Sequence, residues 1–142
     1  MQPYEITLRE WHNCVDKLMA RTSDCQEVLD KFVDTYVRED VIFSPPTYSK
    51  TYTGREWLKA ILGEISKVIG STFTYHRQWV QPYSWALEFA TVLPNMKTMW
   101  GIDLITLDSD GCITELRVLA APLNSIKFLK NEMAARAPRP KL

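Results

Sequence analysis

The main change in the chain's hydrophobic period falls at Gly70, and that change decides what it can fold into. Before Gly70 apolar residues recur mostly at helical spacing; from 72 to 119 they alternate. Leu8, Trp11, Val15, Leu18 and Met19 mark one face of a helix over 6–20. Thr22-Ser23-Asp24 stops it, and Asp24 with Glu27 makes a capping-box-like pair for a second helix that buries Val28, Leu29, Phe32, Val33 and Tyr36. Val41-Ile42-Phe43 reads as a short strand ended by Pro45-Pro46, since proline supplies no ladder donor. Thr53-Gly54-Arg55-Glu56 reads as a capping box, with Thr53 at the cap of a third helix carrying Trp57, Leu58, Ile61, Leu62 and Ile65. Beyond Gly70, residues 72–80, 84–93, 97–107 and 112–119 read as strands in series, with turns at Pro82-Tyr83, Pro94-Asn95 and Ser109-Asp110-Gly111. Leu123, Ile126, Leu129 and Met133 predict a short terminal helix. Segregated helices and strands predict an α+β fold: a curved antiparallel sheet, three helices on its concave face, and a short C-terminal helix. Such a sheet makes a cone with an apolar interior open at one end. One domain is predicted over 1–135, followed by a basic, proline-containing tail, 136–142, predicted to be disordered.

Charge narrows the function classes. Lys and Arg total 17, as do Asp and Glu, so the formal net charge is zero, which argues against a nucleic-acid partner. No apolar run approaches the roughly 20 residues of a bilayer span, and charges at Glu5, Arg9 and Glu10 argue against a secretory signal. Cys14, Cys25 and Cys112 form no C-x-x-C pair and are odd in number, so reduced thiols of a cytoplasmic protein are expected. With only His12 and His76, neither a metal site nor a cofactor is expected. Pro140-Lys141-Leu142 is similar to the S-K-L peroxisomal address, with Pro140 in place of the small residue, and gives an alternative location.

Two stretches resemble the SnoaL-like (polyketide cyclase-like) branch of the nuclear-transport-factor-2-like superfamily. They are Tyr52-Thr53-Gly54-Arg55-Glu56 and the hairpin from Gly101 to Ile113, GIDLITLDSDGCI, with Pro122-Leu123 following. Ala86-Leu87-Glu88-Phe89 matches the preceding strand. The resemblance implies the ketosteroid isomerase-like cone and leaves the activity open among cyclases, isomerases, epoxide hydrolases, dehydratases and non-catalytic modules. In ketosteroid isomerases the aspartate of a similar hairpin points into the cone and, protonated, donates a hydrogen bond to the substrate oxyanion. That neutral acid is itself a standard illustration of pKa tuning, and the resemblance carries its role to Asp103. Two departures argue against a direct transfer of chemistry. Ser44, before Pro45, stands where the isomerases carry their aspartate base, and Gly101 stands where epoxide hydrolases of this family carry an arginine.

Asp103 interrupts an apolar strand between Ile102 and Leu104, so its carboxyl must be paired or neutral if buried. Two readings stand. In one it is an inward acid or hydrogen-bond donor. In the other, pairing Asp108 with Cys112 across the turn puts Asp103 opposite Arg117 in a cross-strand ion pair. Glu88 would share its face if the Pro94-Asn95 turn is tight, which would give paired carboxylates for acid and base roles; a solvent-facing Glu88 is the other reading. His76 is a second titrating candidate, or an exposed strand histidine.

Phe43, Tyr48 and Tyr52 bracket the loop into the third helix, at the cone mouth in this fold, and Trp57, Trp79, Trp85 and Trp100 lie on elements that wrap the cone. These rings, with Arg117, either line a ligand cavity or fill it. Ile102, Leu104, Leu116 and Val118 are assigned to one apolar face and Asp103, Ile105, Leu107 and Ile113 to the other, so a sheet covered on both sides, in a homodimer, is expected. The expected function is binding of a small hydrophobic ligand, with acid–base isomerisation, cyclisation or dehydration. The competing expectation is a non-catalytic interaction or ligand-binding module.

Overall fold

The computed structural model describes residues 1–47 and 50–141. Helix α1 spans Pro3–Ala20, α2 Cys25–Tyr36 and α3 Arg55–Ile69, and α4, Leu123–Arg136, closes the chain. The strands are β1 Val37–Ser44, β2 Tyr52–Thr53, β3 Thr74–Gln81, β4 Ser84–Val92, β5 Thr98–Leu107 and β6 Ile113–Ala121. They form a six-stranded sheet in the order β2-β1-β6-β5-β4-β3. The sheet is mixed, not wholly antiparallel: β1 runs parallel to β6, which the chain reaches only after crossing through α3 to the far edge and returning by the β3–β4–β5 meander. The α+β cone predicted from the change of period is the observed architecture.

The capping assignments need correction. Thr53 is not the cap of α3; it pairs with Ile42 in β2, and Gly54 takes the cap position at φ 111°, which favours glycine. Asp24 caps α2 by position but makes no side-chain cap hydrogen bond, because its carboxylate accepts from Thr22 and Lys17 instead. The capping box present in the structure is at α1, between Gln2 and Glu5. Gly70 ends α3 as expected.

The inner face of the sheet is set by β4 and β5. Trp85, Leu87 and Phe89 are buried and alternate with half-buried residues, and Met99, Gly101, Asp103, Ile105 and Leu107 are buried and alternate with half-buried or exposed ones. Against them pack Trp11, Val15 and Leu18 of α1, Leu29, Phe32 and Val33 of α2, and Leu58, Ile61 and Ile65 of α3. Gly101 is a position of close approach: a Cβ there would lie 2.2 Å from the Leu119 carbonyl oxygen and 2.8 Å from the Phe89 ring.

Three irregularities fix which side chains face inward. At the β5–β6 turn, Gly111 takes φ 77° and the Asp108 amide donates to the Cys112 carbonyl, as the turn residues predict. A bulge follows at Thr114: Leu107 pairs with Ile113, but Thr106 pairs with Glu115. Asp103 therefore lies opposite Val118, and Arg117 lies opposite Leu104. Leu116 and Val118 accordingly share the inner face with Asp103, Ile105, Leu107 and Ile113, which corrects the predicted division of faces. At the β4–β5 connection, Met96 adopts φ 67° and the Leu93 amide donates to the Lys97 carbonyl, so the loop includes Met96 and is longer than the tight turn expected. In β3, a bulge between Tyr75 and Gln78 sets His76 and Arg77 together against Glu88.

Beyond α4, Pro138 and Pro140 of the tail are half-buried, and Arg136 Nη1 lies 3.4 Å from Glu64 of α3. Tyr48 and Leu142, the latter the last residue of the tripeptide similar to a peroxisomal address, lie outside the described residues. Among the described residues, no helix is long and apolar enough to cross a membrane.

Candidate functional site

Asp103 ends a chain of hydrogen bonds that begins on α1. Trp11 Nε1 donates to Tyr75 Oη at 3.0 Å, and Tyr75 Oη donates to Asp103 Oδ2 at 2.5 Å. The direction follows from the donor inventory. Indole N–H can only donate, so Tyr75 accepts from Trp11 and keeps its own proton for Asp103. The elements that bring the three together are separate in sequence. Trp11 comes from the inner face of α1, Tyr75 from the inward position of β3 opposite Phe89, and Asp103 from the centre of β5. Phe73 and His12 set the Tyr75 ring edge-on, at centroid separations of 5.0 Å and 5.2 Å.

Asp103 is 7% exposed and has no cation beside it. Burial pushes its carboxyl up from an ordinary 3.8 to about 7, against the Tyr75 hydrogen bond, which pulls it down. Burial, and then the neighbouring Asp103, hold the Tyr75 phenol well above its usual range, so Tyr75 stays a neutral donor. The carboxyl faces a chamber of about 60 Å³. Its walls are almost wholly apolar: Phe43, Phe73 and Phe89 supply rings, and Leu18, Leu62 and Val118 supply aliphatic surface. Roughly 300–1,000 Å³ is usual for sites of drug-sized ligands, so a steroid nucleus does not fit unless the walls move.

Of the residues singled out from sequence, Asp103 and Phe43 meet in this chamber. Glu88 does not join them. The longer loop around Met96 places it opposite Ile102 on the outer face, where Arg77 binds it at 3.0 Å and 2.7 Å and holds it below the usual carboxylate range. His76 is exposed in the β3 bulge, away from Asp103. Arg117 is exposed on the outer face, its nearest carboxylate Glu115 at 3.9 Å, so the predicted Asp103–Arg117 pair does not form. Trp85 is 2% exposed and fills the core beside Ile105, away from the chamber, with its indole N–H unpartnered. Trp79, 50% exposed, lies outside under Arg77, and Trp100, 54% exposed, is also on the outer face. Tyr52 and Trp57 meet at 4.9 Å, tilted, in a different cleft, between α3 and the C-terminal segment. The rings thus divide three ways among lining, filling and outer surface.

Sequence reasoning missed Tyr75 and Trp11. A signal existed: Phe73 and Tyr75 alternate with Thr74 and His76, which puts a phenol on the face that Phe73 buries. Among the described residues, no group of three or more His, Cys, Asp or Glu could hold a metal ion.

The architecture is shared with solved structures. A steroid delta-isomerase from Pseudomonas aeruginosa is 27% identical, with a TM-score of 0.82 over 96% of this chain and 93% of that one. An uncharacterized protein conserved in bacteria, of cystatin-like fold, from Silicibacter pomeroyi DSS-3 is 32% identical, with a TM-score of 0.78 over 92% of this chain and 84% of that one. A structure from Jannaschia sp. CCS1 assigned to the SnoaL-like polyketide cyclases shares the fold at 12% identity, with a TM-score of 0.64 over 87% and 91%. No family model and no curated protein matches the chain. Fold, hairpin and these structures agree: the chain has the α+β cone fold, and it is similar to a steroid delta-isomerase and to a protein assigned to the SnoaL-like polyketide cyclases.

Proposed function

We propose that the chain binds a small, mostly apolar molecule in the Asp103 chamber and moves a proton on it without a cofactor. The observation that carries this reading is a carboxyl near neutrality, held by a directed Trp11–Tyr75 relay, in a chamber with no competing charge. A group whose pKa lies near the working pH can take a proton from one carbon and return it to another, as an allylic isomerisation, a cyclisation or a dehydration requires. Tyr75 occupies Oδ2, which leaves Oδ1 for the ligand. Ser44 stands where the isomerases have a second carboxylate, so one group serves both halves of the transfer here. The likeness to a steroid delta-isomerase supports this class of reaction, and the chamber volume favours a smaller substrate.

The test is a thermal-shift screen of small cyclic enones and terpenoid ketones on the native protein and on Asp103→Asn. Hits that stabilise the native protein and lose that effect in Asp103→Asn are expected, with proton exchange at the α or γ carbon followed by NMR in deuterated buffer. Hits that bind both proteins equally and exchange no proton would sink the reading.

The outer face favours a second element of the proposal, a homodimer formed sheet to sheet. Trp79, Trp100 and Leu119 are each more than a third exposed on the outer face of one sheet, the kind of surface an interface uses. Its occupant is a second copy, because that face mixes apolar side chains with both charges, Arg77 and Arg117 beside Glu88 and Glu115, and can match itself. Sedimentation equilibrium should give a dimer that Trp100→Glu converts to monomer; a native monomer at micromolar concentration would overturn it.

A further inference from the structure

A second cavity, of about 180 Å³, lies between α3 and the C-terminal segment. Of its lining residues it shares only Ile65 with the Asp103 chamber. Its floor is aromatic: the Tyr52 and Trp57 rings meet at 4.9 Å with a 45° tilt. Met133 of α4 faces them. Its rim is cationic. Lys50 Nζ sits 5.1 Å above the Tyr52 ring, Arg139 enters from the tail, and no Asp or Glu lines the cavity. Among the described residues, neither Lys50 nor Arg139 has an ion-pair partner. The nearby acids of α3 are already engaged, Glu56 by Lys59 and Glu64 by Lys67 and Arg136.

We infer that this cleft is a binding site for a planar organic anion, an aromatic or similarly flat carboxylate, with its ring on Tyr52 and Trp57 and its carboxylate between Lys50 and Arg139. The aromatic floor selects the body, one ring by its face and the other by its edge. Two cations without a compensating acid select the charge, since an ammonium and a guanidinium both donate charge-assisted hydrogen bonds to a carboxylate. The site is independent of proton transfer at Asp103, because no residue that carries the anion faces that chamber.

The test uses 2-naphthoate as the probe and 2-naphthalenemethanol as its neutral counterpart, each titrated calorimetrically into the full chain. The naphthoate should bind at least tenfold more tightly than the alcohol, and its affinity should fall with added salt. Lys50→Ala combined with Arg139→Ala should remove that tenfold preference and leave alcohol binding unchanged; both positions are at the surface, and an unchanged melting temperature shows that the fold survives. Asp103→Asn should bind naphthoate as the native protein does, which separates this site from the deeper chamber. The inference is overturned by equal affinity for the two probes, by naphthoate binding that survives the double substitution, or by no naphthoate binding at millimolar concentration.

Discussion

The Tyr75 hydroxyl donates to Asp103 Oδ2 at 2.5 Å while its oxygen accepts from the Trp11 indole N–H at 3.0 Å. Replacing Tyr75 with Phe therefore removes the one hydrogen bond that lowers the Asp103 pKa. The carboxyl should titrate above its native value of about 7, read from the pH dependence of its carbon chemical shift. The Trp11 N–H loses its acceptor in the same variant, at a cost of about 1–3 kcal/mol in chemical denaturation.

Asp103 also ties stability to pH, with a definite sign. Its folded pKa is raised, so the folded state holds the proton more tightly than the unfolded chain does. The stability this confers is complete below about 3.8 and is lost as pH rises through about 7. Asp103→Asn lacks this term. Native stability relative to the variant should fall by about 1.4 kcal/mol per pH unit across that interval and level off above it. Urea unfolding of both proteins at pH 5, 6, 7 and 8 measures the slope; parallel curves would show that the carboxyl is not buried in a neutral form.

Glu88, His76 and Arg117 lie on the outer side of the sheet or at its exposed edge strand. Glu88→Gln, His76→Ala and Arg117→Ala should each leave the Asp103 titration midpoint where it is, within the error of the measurement. A displaced midpoint in Arg117→Ala would mean that Arg117, not Val118, faces Asp103.

Gly101→Ala should be costly out of proportion to its one added methyl. The new Cβ meets the Leu119 carbonyl at 2.2 Å and the Phe89 ring at 2.8 Å. The tighter contact is with backbone, so β6 must shift away from β5, and the Phe89 ring, which lines the chamber, must shift as well. A loss of about 1–3 kcal/mol is expected in urea unfolding, together with a change in the Phe89 and Tyr75 ring resonances.

The fold was legible because three helical stretches precede Gly70 and four alternating strands follow it, with only the short β1 and β2 in the first part and α4 at the end of the second. Asp103 itself was legible: a carboxylate between Ile102 and Leu104 is conspicuous in an apolar strand. Its surroundings were not. Alternation places a residue on a face only when the register is known, and register here depends on Thr114, Met96 and the His76–Arg77 pair, each of which adds one residue to one side of a ladder. One such residue separated the predicted partner Arg117 from the actual neighbour Val118, and another sent Glu88 outward. Tyr75 escaped notice because its neighbours are polar and its burial comes from Trp11 and Phe89, far away in sequence. The cap of α3 was misplaced by one residue for a local reason, since Gly54 can take a positive φ that Thr53 cannot.

The bulge at Thr114 decides where β6 can change length without changing what faces the chamber. Leu107 pairs with Ile113 and Thr106 with Glu115, so Thr114 is the residue the ladder does not use. Losing it would leave Val118 opposite Asp103 and Arg117 opposite Leu104. One residue inserted after Leu116 would instead set Arg117 opposite Asp103 and turn Val118 outward. The charge beside the buried carboxyl is thus insensitive to chain length on one side of Leu116 and governed by it on the other.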